Sequence, residues 1–377
     1  MESPYLKSLL LKEHLKNTPT ECNPSLGISL RITRNGGSSA SGMKIGIGEY
    51  ARNPIFIKIF SMNCPYKKIK NNGKIVRNKY NPQLDKDAME IGFTRLLSDI
   101  LYQEKPFTQN IPAFYFMRQC NNAYKTDNSC CSLNPINTSE FIVSGDRYDL
   151  PHNGLMINYL QELNDDIINY MGVEMCSGDL EQYFKSMFIK INSGKLDIED
   201  FERITDSIFM QLIVTIKCLN NIFKPFYHSD LGPRNVLYTL LNMEEYRNTY
   251  FRYQIDDKIY SIENIGLIPK IWDFSNIYVD DSQREILRNS GYFDYLRSFD
   301  DIRTVTNEII YNIPQLCKGI ILIDEFSYVS DTPFGEKMRF IGEYGADDFD
   351  HFIGIFNNYI EKIDSTLITP VFSYSMR

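Results

Sequence analysis

His228-Ser-Asp-Leu-Gly-Pro-Arg-Asn235 is the stretch on which the reading of the whole chain turns. It sets a carboxylate, Asp230, and a carboxamide, Asn235, five residues apart in a turn that contains Pro233. At that spacing both can face one cavity. The carboxylate can accept a hydroxyl proton while the amide oxygen binds a hard cation. Taken alone, both are also ordinary turn residues, so their surroundings have to decide.

Downstream, Asp273 lies in Ile271-Trp-Asp-Phe-Ser275, after the apolar run Leu267-Ile-Pro-Lys-Ile271. It is a second carboxylate able to complete an oxygen-ligand set for Mg²⁺. Upstream, Phe201, Ile204, Ile208, Leu212, Ile216 and Leu219 recur at three- and four-residue steps, which predicts a helix. Asp197 can cap that helix and Pro225 ends it. Before it, a strand ends near Gly172-Val-Glu-Met-Cys176 and Ser177-Gly178 reads as a turn. Glu174, Met175 and Cys176 thus form a segment that can offer backbone hydrogen bonds to a flat heterocycle.

Towards the N-terminus the alternation of Ile28, Leu30 and Ile32 predicts a strand. Met43–Ile47 and Pro54–Phe60 read as two more, by their β-branched content. Between the first two lies Gly36-Gly-Ser-Ser-Ala-Ser-Gly42, where the free N–H groups around Gly37, Ser39 and Gly42 can cover phosphates. Lys58 sits on the third strand. Glu90 lies on a helix predicted from about Leu84 to Tyr102, where it can hold Lys58 in place. Each of these has a plain alternative: a flexible turn, an edge lysine, a surface acid. Their order along the chain is what gives them weight.

Composition sets the limits. With 377 residues, 43% hydrophobic and 23% charged, the chain can bury the core of a two-part globular protein. A net charge of -8 argues against a chain-wide nucleic-acid binder. The basic run Lys67, Lys68, Lys70, Lys74, Arg77, Lys79 reads as a solvated loop that can also contact an anionic partner. Eight scattered cysteines, with no CxxC and four histidines, do not suggest zinc. The start Met-Glu-Ser-Pro has no basic n-region or long apolar run, and no stretch approaches a membrane span. The expectation is an intracellular, cytoplasmic protein with free thiols and no membrane partner.

Glycine-rich turn, strand lysine, helix glutamate, His-x-Asp loop and Asp-Phe-Ser, in that order, are the parts of a protein kinase. From about residue 27 to 310 the chain resembles the protein kinase superfamily. The segment 253–274 is further similar to kinase-like proteins of giant DNA viruses, which would place the protein in host cytoplasm or virion. The resemblance implies an α+β bilobal fold: an extension at 1–26, and a small β-rich lobe over 27–176 with inserts near 61–82 and 121–150. A mainly helical lobe over 177–377 would carry the catalytic and metal-binding loops. It implies a serine/threonine-protein kinase using ATP with Mg²⁺ or Mn²⁺. Asp230 would be the base, Asn235 and Asp273 the metal ligands, and Lys58 the partner of the α- and β-phosphates. Glu90 would pair with Lys58, and Met175 would lend backbone groups to adenine.

Departures from the pattern keep two alternatives open. Ser229 replaces an arginine, Gly232 a lysine and Ser275 a glycine, while Arg234 is placed to supply charge near the transferred phosphate. No Ala-Pro-Glu follows Asp273, and Asp294 in Phe293–Phe299 is the expected brace of the catalytic loop. A small-molecule kinase of the aminoglycoside or choline kind fits a missing peptide platform. A non-catalytic pseudokinase scaffold fits a docking role for the basic run. In the C-terminal part, Phe349, Phe352, Ile353, Phe356 and Ile360 predict a further helix.

Overall fold

The computed structural model describes residues 29–32, 44–50, 53–62, 68–71, 74–77, 86–101, 108–121, 167–222, 226–242, 249–255, 258–279, 308–345, 349–356 and 371–374. The glycine-rich turn, the extension at 1–26, the stretch 122–150 and Asp294 lie outside them. The fold is mixed, with small, mostly antiparallel sheets and helices, as the α+β reading expects. Packing divides the described residues into two compact units. One holds those up to Arg95 together with Ala113–Met175; the other holds Leu96–Pro112 and, among the described residues, everything from Cys176 onward.

In the first unit, β1 (Ser29–Ile32), β2 (Lys44–Tyr50), β3 (Asn53–Met62), β6 (Phe114–Asn121) and β7 (Ile167–Glu174) form an antiparallel sheet ordered β1-β2-β3-β7-β6. β3 is its central strand, with Lys58 opposite Ile45 on one side and Met171 on the other. Gly172 is required by packing, because a Cβ there would stand 2.4 Å from the Phe116 ring. Helix α1 (Lys86–Leu101) buries Ile91 and Phe93 alongside Glu90. The basic run departs from expectation. β4 (Lys68–Asn71) and β5 (Lys74–Arg77) pair as an antiparallel hairpin, since Ile69 lies opposite Val76 and β-branched residues favour the pleat.

In the second unit the chain forms β8 (Gly178–Asp179), then α2 (Leu180–Asn192) and α3 (Ile198–Ile222). α2 was not expected. The turn signal at Ser177-Gly178 hides its start, where Asp179 caps it by accepting from the N–H of Gln182. Strands β9 (Phe226–Tyr227), β10 (Val236–Leu240), β11 (Tyr250–Ile255), β12 (Lys258–Glu263), β13 (Leu267–Ile271) and β14 (Tyr278–Val279) follow. Next come α4 (Glu308–Ile321), α5 (Pro333–Tyr344), α6 (Phe349–Ile355) and β15 (Val371–Tyr374). Three small sheets result: β13-β10-β8, β12-β11-β15 and β14-β9.

The core of this unit is aromatic. Phe184 and Phe188 of α2, Phe201 of α3 and Phe334 of α5 are 0–1% exposed and pack with ring centroids 4.7–6.2 Å apart. Burying each such ring contributes about 1.5–3 kcal/mol. Among the described residues, no helix is long and apolar enough to cross a membrane.

Candidate catalytic and metal-binding residues

In the first unit, the structure brings Lys58 and Glu90 together. Both are buried, and the ammonium donates to Glu90 Oε1. An ammonium in such a place needs a nearby carboxylate, because charge without a partner there is costly. Glu174 is tied twice to Ala113: its amide N–H donates to the Ala113 carbonyl at 2.8 Å, and its Oε2 accepts from the Ala113 N–H at 3.1 Å. Met175 is half-buried and Cys176 is buried. Gly37, Ser39 and Gly42 belong to the undescribed turn.

In the second unit, the loop after β9 and the end of β13 are knotted together. β10 and β13 pair with Val236 opposite Ile271, so the residues before one and after the other are neighbours. Trp272 N–H donates to the Asn235 carbonyl at 2.9 Å, and His228 Nε2–H donates to the Trp272 carbonyl at 2.8 Å. Asn235 Nδ2 donates to the Asp230 carbonyl at 2.7 Å, which orients that carboxamide through its nitrogen end. The single 3₁₀ turn Pro233–Asn235 sets the distance, with Pro233 at a first-turn position that needs no N–H.

Two non-glycine residues here have left-handed backbones, Ser229 (φ 61°) and Asp273 (φ 63°). Such conformations persist where the surroundings over-determine them, and they collect at functional sites. Asp230 is exposed and Asp273 half-buried. Burial holds the His228 imidazole below its ordinary pKa, against the opposing pull of the Trp272 carbonyl and the Asp273 and Asp230 carboxylates. Both carboxylates therefore lie within electrostatic reach of one buried ring.

The carboxylate of Asp273 and the carboxamide of Asn235 fit a magnesium-type cation by their chemistry: both offer hard oxygen, and they are few enough to leave room for phosphate oxygens and water. No group of three or more His, Cys, Asp or Glu suited to holding a metal occurs among the described residues.

β13, which delivers Asp273, is anchored by a buried polar network. Asn110 Nδ2 donates to the Pro269 carbonyl (2.7 Å) and to Gln211 Oε1 (3.2 Å), and its Oδ1 accepts from Tyr253 (2.7 Å) and Thr108 (2.9 Å). The Asn110 carbonyl accepts from Ile271 N–H at 2.8 Å. Sequence reasoning did not find this residue, nor the pair on α4 that braces the loop after β9. Asn312 Oδ1 accepts from His228 N–H (3.0 Å) and its Nδ2 donates to the Phe226 carbonyl (3.2 Å). Gln315 makes the equivalent bonds to Leu231 and Ser229. The Arg234 guanidinium is engaged by the Glu181 carboxylate of α2 through two nitrogens.

No family model matches the chain. Two curated proteins of Acanthamoeba polyphaga mimivirus, each named a putative serine/threonine-protein kinase, are similar to it. One is 25% identical over 240 residues, 58% of this chain and 58% of the relative. The other is 30% identical over 109 residues, 28% of this chain and 21% of the relative. The chain thus spans less than two thirds of the length of either. By these similarities the chain resembles putative kinases of a giant virus.

Proposed function

We propose that the chain transfers the γ-phosphoryl group of ATP to a protein hydroxyl, of serine or threonine, with Mg²⁺. The observation that carries this reading is the knot in the second unit, where Asp230, Asn235 and Asp273 stand on loops bonded to one another. In this reading Asp230 orients the acceptor hydroxyl and takes its proton as oxygen bonds to phosphorus. Asn235 and Asp273 hold the cation, which supplies charge neutralisation at the phosphates.

Lys58, fixed by Glu90, holds the α- and β-phosphates, and the backbone at Gly37, Ser39 and Gly42 covers them. Adenine takes backbone groups from the segment Glu174, Met175, Cys176. Commitment of the Glu174 N–H to Ala113 shifts the weight of that contact to Met175. The small β-rich lobe then spans 27–176 and the helical lobe 177–377. The names of the viral relatives support serine or threonine as acceptor, extended here from those proteins to this chain.

The test is incubation with γ-labelled ATP and Mg²⁺, followed by phosphoamino-acid analysis of the labelled protein. Label is expected on serine or threonine. Asp230→Asn is expected to lower turnover by at least roughly 100-fold, with ATP binding retained. Full activity in that variant would remove Asp230 from its role, and label found on small hydroxyl compounds alone would remove the protein acceptor.

A further inference from the structure

Gln315, on α4, brackets Asp230 through its neighbours. Its Oε1 accepts from the Leu231 N–H at 3.0 Å, and its Nε2 donates to the Ser229 carbonyl at 3.2 Å. Those main-chain groups belong to the residues immediately before and after Asp230. A carboxamide carries one donor end and one acceptor end, like a peptide group, so Gln315 pairs with the loop as a neighbouring strand would. Ser229, the residue it holds on one side, has φ 61°, a conformation an L side chain adopts only when its surroundings enforce it.

The same face of α4 follows the loop in both directions. Asn312, one turn earlier, bonds Phe226 and His228. Gly319, one turn later, lies so close to Pro233 that a Cβ would stand 2.4 Å from its Cδ. Positions 312, 315 and 319 fall at steps of three and four, one stripe of the helix. The loop from Phe226 to Pro233 is therefore held along its length, with Gln315 at the point where the backbone is left-handed.

We infer that Gln315 is a positioning residue for Asp230: it locks Ser229 in the left-handed conformation and so fixes the direction in which the Asp230 carboxylate leaves the loop. The inference rests on Asp230 being the base of phosphoryl transfer. Gln315 touches the main chain on either side of Asp230, so its effect falls on the geometry of transfer rather than on nucleotide affinity. A neutral carboxamide also achieves this without adding negative charge beside Asp230.

Gln315→Leu removes both bonds, and Gln315→Glu keeps the acceptor for Leu231 while losing the donor to Ser229. Gln315→Leu is expected to lower kcat by about tenfold to a hundredfold with the KM for ATP unchanged, and Gln315→Glu to lower it as well, since it loses the Ser229 bond and adds charge beside Asp230. Amide exchange without nucleotide is expected to accelerate at Leu231 ahead of the amides of α4. Unchanged kcat in folded Gln315→Leu overturns the inference. So does a fall in kcat matched by a rise in KM and uniformly faster exchange, which marks general destabilisation. If Gln315→Leu does not fold, Gln315→Glu is read by the same criteria. Should the wild-type protein transfer no phosphate, the kinase reading fails by itself, and amide exchange at Leu231 alone decides whether Gln315 holds this loop.

Discussion

Lys58 and Glu90 retain 4% and 0% of their exposure, so neither charge has water to fall back on. Removing one partner leaves the other charge buried, and Lys58→Met is expected to destabilise the protein by about 3–5 kcal/mol. In urea titrations the double change Lys58→Met with Glu90→Leu should recover most of that loss. Equal destabilisation by the single and double variants would show that the pair matters for other reasons. His228 gives a pH dependence of definite sign. Its folded pKa lies below the ordinary 6.5, so the unfolded chain takes up a proton first as pH falls. The stability this residue contributes is complete above 6.5 and declines below it. Unfolding free energy should drop between about pH 7 and about pH 5, and His228→Gln should flatten the slope. An unchanged slope would assign the titration elsewhere. At this scale the sequence was legible in what it places together: the Lys58–Glu90 pair, and the loops that carry Asp230, Asn235 and Asp273. Asn312 and Gln315 were not legible, because a neutral amide on an apolar helix gives no local sign of a backbone partner more than eighty residues away.

Among the elements, α3 was the plainest to read, since Phe201, Ile208, Leu212, Ile216 and Leu219 are all buried at the steps a helix requires. α2 was missed although Phe184, Met187 and Phe188 keep the same rhythm, because a turn-forming pair precedes it. The hairpin β4–β5 was read as loop because its basic residues mask three β-branched positions, Ile69, Ile75 and Val76. β13 illustrates what pattern reading cannot supply: five consecutive buried residues announce a strand, but not the Asn110 network that fixes where it ends. Asn110→Ala leaves the Pro269 carbonyl, the Tyr253 hydroxyl and Gln211 short of a partner, at about 1–3 kcal/mol for each group left unsatisfied. Tyr253→Phe leaves Thr108 on the Asn110 acceptor and Asn110 on the Pro269 carbonyl and Gln211, so it should cost less. Chemical denaturation of the two variants tests this order, and a reversed order would mean that Asn110 is not the centre of the network.

For the molecule as a whole, a ligand that binds the folded chain alone raises its stability, by about 2.7 kcal/mol at a hundred times the dissociation constant. ATP with Mg²⁺ is therefore expected to raise the melting temperature more than ATP with chelator. Asp273→Ala should abolish that difference while leaving some response to ATP. A variant that kept the full magnesium effect would take Asp273 out of the metal set. Packing divides the described residues near Cys176, where the sequence turns from β-rich to helix-rich.

One pairing in the second unit carries a consequence for synthesis. Val371–Tyr374 lies parallel to Arg252–Ile255, joining strands that leave the ribosome more than a hundred residues apart. Until residue 374 has emerged, the side of β11 that receives β15 has no partner from this sheet, while β12 is already available to the other side. The sheet can be completed only late, and an unpaired strand edge is what recruits foreign strands. Slow translation through 264–370 would therefore prolong the interval in which the nascent chain depends on chaperones.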